Sequence, residues 1–247
     1  MSRDLSNKTA VITGGAQGIG LAIATSFLKK GAKIVILLDL EEKTGVEAAN
    51  TLNSEYGENK AVFIKCDVTA DLEAVSKLIF DTYKTVDILV NNAGVVCEHD
   101  PRKCIAVNTT AVIEWTLKFW EHMRKDKGGI GGTILNTASI YSYRIDPFCP
   151  IYKASKFAVL GFTKSLGLDY HYDKTGIRIV AICPGFTMTK IVTAKGKDEQ
   201  LQRDFEAFVR TNIWQNADVV GLAAVQVFES ADSGTAWAVE GGVLEKV

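Results

Sequence analysis

No run of apolar residues in this 247-residue sequence is long enough to cross a bilayer. Its longest strings, such as Ile34–Leu38, fall far short of the ~20 residues a spanning helix needs, so no membrane partner is expected. The N-terminal stretch Met-Ser-Arg-Asp-Leu-Ser-Asn-Lys is polar and lacks a signal-peptide pattern. There is no basic stripe: 28 basic residues balance 29 acidic ones, and the densest cluster, His122–Lys127, contains Asp126 and reads as a solvated helix end. Nucleic acid is therefore not an expected partner. Five cysteines (Cys66, Cys97, Cys104, Cys149 and Cys183) are an odd number without repeated spacing. Cys97 and Cys104 lack the close pairing of a zinc site, and His99 does not complete one. No metal is expected; free thiols in a reducing compartment are, with the cytoplasm as the default location. Repeats, low-complexity tracts and linkers are also missing, so residues 1–247 read as one domain.

What is present is a regular rhythm of short apolar runs and amphipathic segments. Strands are predicted over Lys8–Thr13, Lys33–Leu38, Ala61–Cys66, Asp87–Val90, Thr133–Thr137, Ile177–Ile182 and Thr235–Val239. Helices are predicted from the turn at Gly14–Gly20 to about Lys30, and over Glu41–Tyr56, Ala70–Tyr83, Lys103–Arg124, Pro150–Tyr172 and Ala217–Glu229. Strands alternating with helices long enough to cross back imply an α/β fold, a doubly wound parallel sheet of about seven strands covered on both faces. The 47% apolar content suits such a core, and at this length roughly 70–75% of the unfolded surface can be buried.

The turn Thr13-Gly14-Gly15-Ala16-Gln17-Gly18-Ile19-Gly20 lies between the first strand and the first helix. Glycines there let the backbone turn tightly and approach a pyrophosphate, which then rests on the helix N-terminus. Asp39 ends the second strand, where a carboxylate accepts hydrogen bonds from a ribose diol and repels a 2′-phosphate. Gly15, Ala16, Gln17 and Leu40 supply no compensating cation, which favours NAD over NADP; simple capping of the next helix is the competing reading of Asp39. Asp67-Val68 and Asn91-Asn92-Ala93-Gly94 follow the third and fourth strands, at the strand ends where open parallel sheets bind ligands. Asp67 can reach an adenine amino group, and the small Ala93 and Gly94 allow close passage of a cofactor. Asn pairs also make turns for purely structural reasons.

Tyr152 and Lys156 are four apart, so on a helix they share a face. An ammonium beside a phenol favours the phenolate, which otherwise forms only near pH ~10. Ser139 lies upstream, where a returning loop can bring its hydroxyl to the phenol. A hydroxyl, a tunable phenol and a cation make a proton-transfer site for an alcohol or carbonyl. Taken alone, Tyr-x-x-x-Lys is an ordinary helix pair.

The ordered set Thr13-Gly-x-x-x-Gly18-x-Gly20, Asp67, Asn91-Asn-Ala-Gly94, Asn108, Ser139, Tyr152-x-x-x-Lys156 and Pro184-Gly185 resembles the short-chain dehydrogenase/reductase family over essentially the whole chain. The short stretch between Gly94 and Asn108, Ile105-Ala-Val-Asn108, Phe119-Trp120, Lys127–Gly132 and the ending Ser233–Trp237 with Gly242–Glu245 resemble insect-type alcohol dehydrogenases most. Mammalian-type 15-hydroxyprostaglandin dehydrogenases are similar at a greater distance. Glu240-Gly-Gly departs from the Asp-Gly-Gly of the wider family. The resemblance implies a Rossmann-type fold, NAD bound by Gly14, Gln17, Gly18, Ile19, Gly20, Asp39, Asp67, Val68, Asn91, Ala93, Gly94, Pro184, Gly185 and Thr187, and a tetrad of Asn108, Ser139, Tyr152 and Lys156. In it Tyr152 takes the alcohol proton, Ser139 holds the substrate oxygen, Lys156 binds the nicotinamide ribose, Asn108 helps hold a water, and Thr187 contacts the carboxamide.

The expected activity is metal-independent, NAD-dependent oxidation of a small or medium primary or secondary alcohol. Oxidation of a bulkier hydroxylated lipid (retinoid, steroid or prostaglandin-like) is the alternative, and a non-catalytic NAD-binding storage or scaffolding protein is the alternative of another class. Tyr141, Phe148, Phe186 and Trp214 are candidates for the pocket wall or for plain core, and residues 187–215 for a substrate-covering segment. Arg144 reads as a solvated or salt-bridged arginine. A homodimer is implied through the helices beginning near Lys103 and Pro150, where Val112, Ile113, Trp115, Leu117 and Trp120 exceed the needs of one buried face.

Overall fold

The computed structural model describes residues 3–190 and 199–247. The runs Thr9–Thr13 (β1), Ile34–Asp39 (β2), Ala61–Lys65 (β3), Ile88–Asn91 (β4), Gly132–Thr137 (β5), Ile177–Pro184 (β6) and Ala236–Glu240 (β7) pair in parallel. The helices are Gly18–Lys29 (α1), Glu42–Tyr56 (α2), Leu72–Tyr83 (α3), Pro101–Ile105 (α4), Ala111–Met123 (α5), Pro150–Leu166 (α6), Asp169–Thr175 (α7), Glu199–Arg210 (α8) and Ala217–Ser230 (α9). An eighth strand, Val243–Lys246 (β8), runs antiparallel to β7, so among the described residues the sheet has eight strands where about seven are predicted, in the order β3-β2-β1-β4-β5-β6-β7-β8. Gly241 and Gly242, both at positive φ, form the two-residue turn between Glu240 and Val243, a geometry that matches the twist of an antiparallel pair.

Strand side chains alternate between two covered faces, as the period of two requires. Ile12, Leu37, Val90, Leu135 and Val180 pack with α1, α2 and α9. Val11, Ile36, Leu89, Ile134 and Ile179 pack with α3 and α5, where Trp115 and Phe119 are fully buried. The chain reverses its direction of winding between β1 and β4, and a crevice opens at their carboxyl ends, where such sheets take ligands. Among the described residues no helix is long and apolar enough to cross a membrane.

Two predicted helices are interrupted, each by a contact with another segment. In place of one helix over Lys103–Arg124, Asp100 caps α4 by accepting from the Lys103 N–H (3.0 Å), a π-helical turn follows at Ala106–Thr110, and α5 then completes the run. The widened turn carries Asn108, which is 0% exposed and bonds outside the helix. The predicted Pro150–Tyr172 helix divides at Gly167, where a Cβ would lie 2.4 Å from the Gly234 nitrogen; the chain needs a bare backbone there. A helix, α8, also occupies a stretch predicted to be irregular, with Leu201, Phe205 and Phe208 at i, i+4 and i+7.

Helix α9 crosses α1 at Gly221, whose Cβ would lie 2.4 Å from the carbonyl oxygen of Ala22. Because the obstacle is backbone, Gly221→Ala should destabilise the protein by about 1–3 kcal/mol despite alanine's better helix propensity. At about 2–4 °C per kcal/mol, the loss is measurable as a lower thermal midpoint. An unchanged or raised midpoint would mean that the two helices part at little cost.

Candidate active site

A cleft of about 1480 Å³ lies at the carboxyl ends of the central strands and runs from Asp39 and Asp67 to Tyr152 and Phe205. Its cofactor end is built from backbone. The Thr13 hydroxyl accepts from the N–H groups of Asn92 (3.0 Å) and Ala93 (3.1 Å), and the Asn92 amide donates to the carbonyls of Thr13 and Gly14 (both 3.1 Å). Gly14, at φ +63°, sits where a Cβ would be 2.9 Å from the Ala93 Cα. Gly20 packs against Gly14, where a Cβ would be 2.1 Å from its carbonyl oxygen, and lies behind the cleft wall. No side chain caps α1 at Gln17, and Gln17, Gly18 and Ile19 line the cleft. An uncapped helix N-terminus behind a glycine turn suits an anion such as a pyrophosphate.

The Asp39 carboxylate reaches across this turn, accepting from the N–H groups of Ala16 (3.1 Å) and Glu41 (3.2 Å). Glu41 adds a second carboxylate to the wall, which the sequence reading missed. Asp67 and Val68 line the next stretch. The Thr69 hydroxyl and N–H, followed by the more distant Lys103 ammonium, hold the Asp67 carboxyl below the usual aspartate range. Lys103, also missed, lines the same end. Asn91 departs from its predicted place: its amide is 2% exposed and donates to Thr116 and Asn136 (both 2.9 Å), and Asn136 donates to Thr163, so these side chains bridge α5, β4, β5 and α6. Asn92, one residue later, faces the cleft instead.

At the other end, Ser139 leaves β5 and caps a short 3₁₀ turn, its hydroxyl accepting from the Tyr141 N–H (3.1 Å). Tyr152 is the third residue of α6 and opens onto the cleft. Burial pushes its phenol up to about 12, against which the hydrogen bond with Ser139 pulls down. Lys156 is 3% exposed, donates to the Thr137 carbonyl (2.7 Å) and lies with its Nζ 5.7 Å from the Tyr152 ring centroid. Burial lowers its ammonium to about 8. Burial therefore outweighs the expected acidification of the phenol by the ammonium in the protein alone. Both groups are desolvated, and that cost exceeds what one ammonium more than a hydrogen bond away can offset. Asn108 uses its side chain on the loop, accepting from the Val95 N–H and donating to the Val95 carbonyl (both 2.8 Å) and Ser155 (3.1 Å). Gly94 fits between Asn108 and Lys156, where a Cβ would be 3.4 and 3.7 Å from their polar atoms. Glu98, unnoticed in the sequence, accepts from the N–H groups of Ile151 (3.1 Å) and Tyr152 (2.8 Å).

Tyr141 and Phe186 form an aromatic wall edge-on to each other, with Tyr141 edge-on to Tyr152, and α8 covers them with Leu201, Gln202 and Phe205. Phe148 and Trp214, candidates for wall or for plain core, lie outside the lining and support it from behind: Phe148 packs on Phe205 and Phe208, and Trp214 on Phe186. Lys153 closes the loop before α6 through Asp146 (2.7 Å), with its Nζ 3.8 Å from the Tyr141 ring centroid. Arg144 is held by both carboxylate oxygens of Glu240. Pro184, Gly185 and Thr187 line the floor, and Thr187 donates to the Gly185 carbonyl (2.9 Å). Part of the predicted covering segment, residues 191–198, lies outside the described residues. Among the described residues the five cysteines are unpaired and no cluster of ligating side chains could hold a metal ion.

A family model described as short chain dehydrogenase matches residues 8–200. The 15-hydroxyprostaglandin dehydrogenase (NAD+) of Homo sapiens is 37% identical over 204 residues, covering 82% of this chain and 76% of that protein. Alcohol dehydrogenase 2 of Ceratitis cosyra is 30% identical over 249 residues, covering 98% and 95%. The likeness to the first is higher in identity, and that to the second is longer, so the predicted order of resemblance holds in extent and not in identity. The solved structure of 3-ketoacyl-(acyl-carrier-protein) reductase from Brucella melitensis complexed with NADH matches with a TM-score of 0.81 and 28% identity, covering 96% of this chain and 98% of that one.

Burial of Lys156 has a consequence for stability. Its folded pKa of about 8 lies below the ordinary lysine value of 10.5, so between these limits the unfolded chain binds more protons than the folded one. The cost of the buried ammonium is complete below pH 8 and fades as pH rises toward 10.5. Lys156→Met should therefore be more stable relative to wild type at pH 7 than at pH 10, measured by urea unfolding of both proteins. A pH-independent difference would contradict the assignment.

Proposed function

The chain belongs to the short-chain dehydrogenase family, and from that premise we propose that it is an NAD-dependent, metal-independent dehydrogenase of a small or medium primary or secondary alcohol. One observation carries the reading. Tyr152, with the Ser139 hydroxyl close enough to lower its phenol and Lys156 near its ring, opens on the same cleft as the glycine-rich turn and Asp39.

The residues suit a nicotinamide dinucleotide, because the turn is bare where a Cβ at Gly14 would strike Ala93 and the adjoining helix is uncapped. Gly14, Gln17, Gly18 and Ile19 would hold the pyrophosphate, Asp39 the ribose diol, and Asp67 and Val68 the adenine. Lys156, Ala93, Gly94, Pro184, Gly185 and Thr187 would hold the nicotinamide end. The Asp39 and Glu41 carboxylates disfavour a 2′-phosphate. A bound oxidised nicotinamide supplies the hydride acceptor and a positive charge beside the phenol. With its phenol at about 12, Tyr152 is protonated near neutral pH, the form that donates to a carbonyl. Taking a proton from an alcohol instead calls for alkaline pH or added positive charge. Ser139 orients the substrate oxygen toward Tyr152. Asn108 keeps the loop beside Lys156 in place.

A second reading, oxidation of a bulkier hydroxylated lipid, draws support from Leu201 and Phe205 over the aromatic end of the cleft and from the identity to the prostaglandin dehydrogenase. A cytoplasmic homodimer completes the proposal. Free cysteines suit a reducing compartment. Leu117 on α5 and Phe157 on α6 are exposed apolar residues that a second copy would cover, while Val112 and Trp115 belong to the core.

NADH formation followed by absorbance at mildly alkaline pH, across alcohols from ethanol and 2-propanol to octanol, cyclohexanol, a sterol and a retinol, separates the readings. Small alcohols should give the higher kcat/KM; turnover of only the bulky ones would select the second reading. Silence throughout, with NADH still bound, would favour a storage or scaffolding role. Tyr152→Phe should lower kcat by about 100-fold or more while NADH binding changes by less than about twofold. Asp39→Asn should raise the NADP/NAD ratio of kcat/KM by roughly tenfold or more.

A further inference from the structure

We infer that Glu98 is a positioning and selectivity residue: its carboxylate fixes the helical turn that carries Tyr152 and selects against anionic substrates. The inference rests on the dehydrogenase reading.

Helix α6 begins without a cap of its own. Cys149 at the N-cap position adopts left-handed backbone (φ +49°) and offers no side-chain hydrogen bond, and Pro150 has no N–H to satisfy. The next donors, the N–H groups of Ile151 and Tyr152, would be left unpaired in a partly buried place. Glu98 meets both, one oxygen to each, from 53 and 54 residues upstream. A carboxylate is also the group favoured at the positive end of a helix.

Glu98 is itself held. It stands on the loop between β4 and α4, where Asn108 grips Val95 through two hydrogen bonds and the Asp100 N–H donates to the Cys97 carbonyl (3.3 Å). The first turn of α6 is thus referenced to the loop that also carries Ala93 and Gly94. A displacement of this turn moves the Tyr152 phenol against Ser139, and misplacement of a reacting group by about 1 Å costs on the order of 100-fold in rate. Glu98 also lines the cleft beside Val96, Cys149 and Tyr152. A carboxylate in the lining raises the energy of a substrate that brings a second carboxylate to this part of the cleft.

Three variants separate the two roles. Glu98→Ala should lower kcat on a neutral secondary alcohol by about tenfold or more, with NADH binding changed less than about twofold. Glu98→Gln keeps the length and removes the charge, so kcat/KM for 3-hydroxybutyrate relative to 2-pentanol should rise roughly tenfold. Glu98→Asp keeps the charge and shortens the reach, so it should lower kcat without shifting that ratio. Amide hydrogen exchange at Ile151 and Tyr152 should accelerate in Glu98→Ala, a readout that needs no turnover. If wild type oxidises alcohols while both kcat and the substrate ratio are indifferent to all three changes, the inference is overturned. If wild type oxidises no alcohol at all, the functional reading fails instead, and unchanged exchange in Glu98→Ala would sink the positioning role as well.

Discussion

The loop that leaves β4 runs from Asn92 to Asp100 without a helix or strand of its own, and side-chain hydrogen bonds hold it at successive points. Thr13 takes the N–H groups of Asn92 and Ala93, Asn108 grips both backbone groups of Val95, and Glu98 ties the far end to the first turn of α6. Each grip satisfies backbone groups of the loop or of the first turn of α6 that have no partner within a helix or strand, where burial without one is costly. The same bonds set the distance between the glycine-rich turn and the tyrosine. The π-helical turn accompanies this demand, since Asn108 sits in it with its amide bound to Val95 of the loop. Local helical regularity gives way to a hydrogen bond that holds two parts of the cleft together.

Electrostatics in the cleft follow from desolvation before they follow from pairing. Tyr152 and Lys156 are both pushed toward their neutral forms, the phenol to about 12 and the ammonium to about 8. At 5.7 Å from the ring centroid the ammonium is attracted to the phenol's π face, yet it does not overcome burial. The protein without a bound partner therefore holds a neutral phenol beside a buried ammonium whose proton is more loosely held than that of an ordinary lysine. An arrangement of this kind makes proton transfer depend on what fills the cleft. The phenol and the lysine are set for chemistry by their surroundings, and only secondarily by each other.

What the sequence made legible is what depends on short-range sterics and period. The glycine-rich turn, Asp39 at the end of β2 and the four-residue spacing of Tyr152 and Lys156 needed no knowledge of distant segments. The side on which Asn91 falls could not be read the same way. It depends on whether β4 ends at Val90 or Asn91, and with a period of two a single residue exchanges the core face for the cleft face. Glu98 was hidden because its partners lie more than fifty residues away, and nothing local marks a carboxylate that caps another segment's helix. Other features were legible and went unread. Gly241-Gly242 between apolar flanks is a hairpin signal that accounts for β8, and Leu201, Phe205 and Phe208 have helical spacing. The break at Gly167 was not legible, since its cause is the backbone of Gly234 pressing from the loop before β7.

The two ends of the cleft are built from different physics, and they differ in how freely they can change. The cofactor end is backbone, glycine and carboxylate: a Cβ at Gly14 or Gly20 meets other backbone at 2.9 Å or less, so almost any substitution there disturbs the whole turn. The substrate end is packing. Tyr141, Phe186 and Phe205 come from three distant segments, and Phe148, Phe208 and Trp214 brace them from behind. A change of size at a bracing residue moves a wall residue without touching the turn or the tyrosine, because aromatic contacts have many near-equivalent packings while hydrogen-bonded backbone has few. Fixed proton-transfer geometry can therefore coexist with a pocket whose shape is set two residues deep. The outer layer then shares with the lining itself in setting the width of the cleft beside Tyr152.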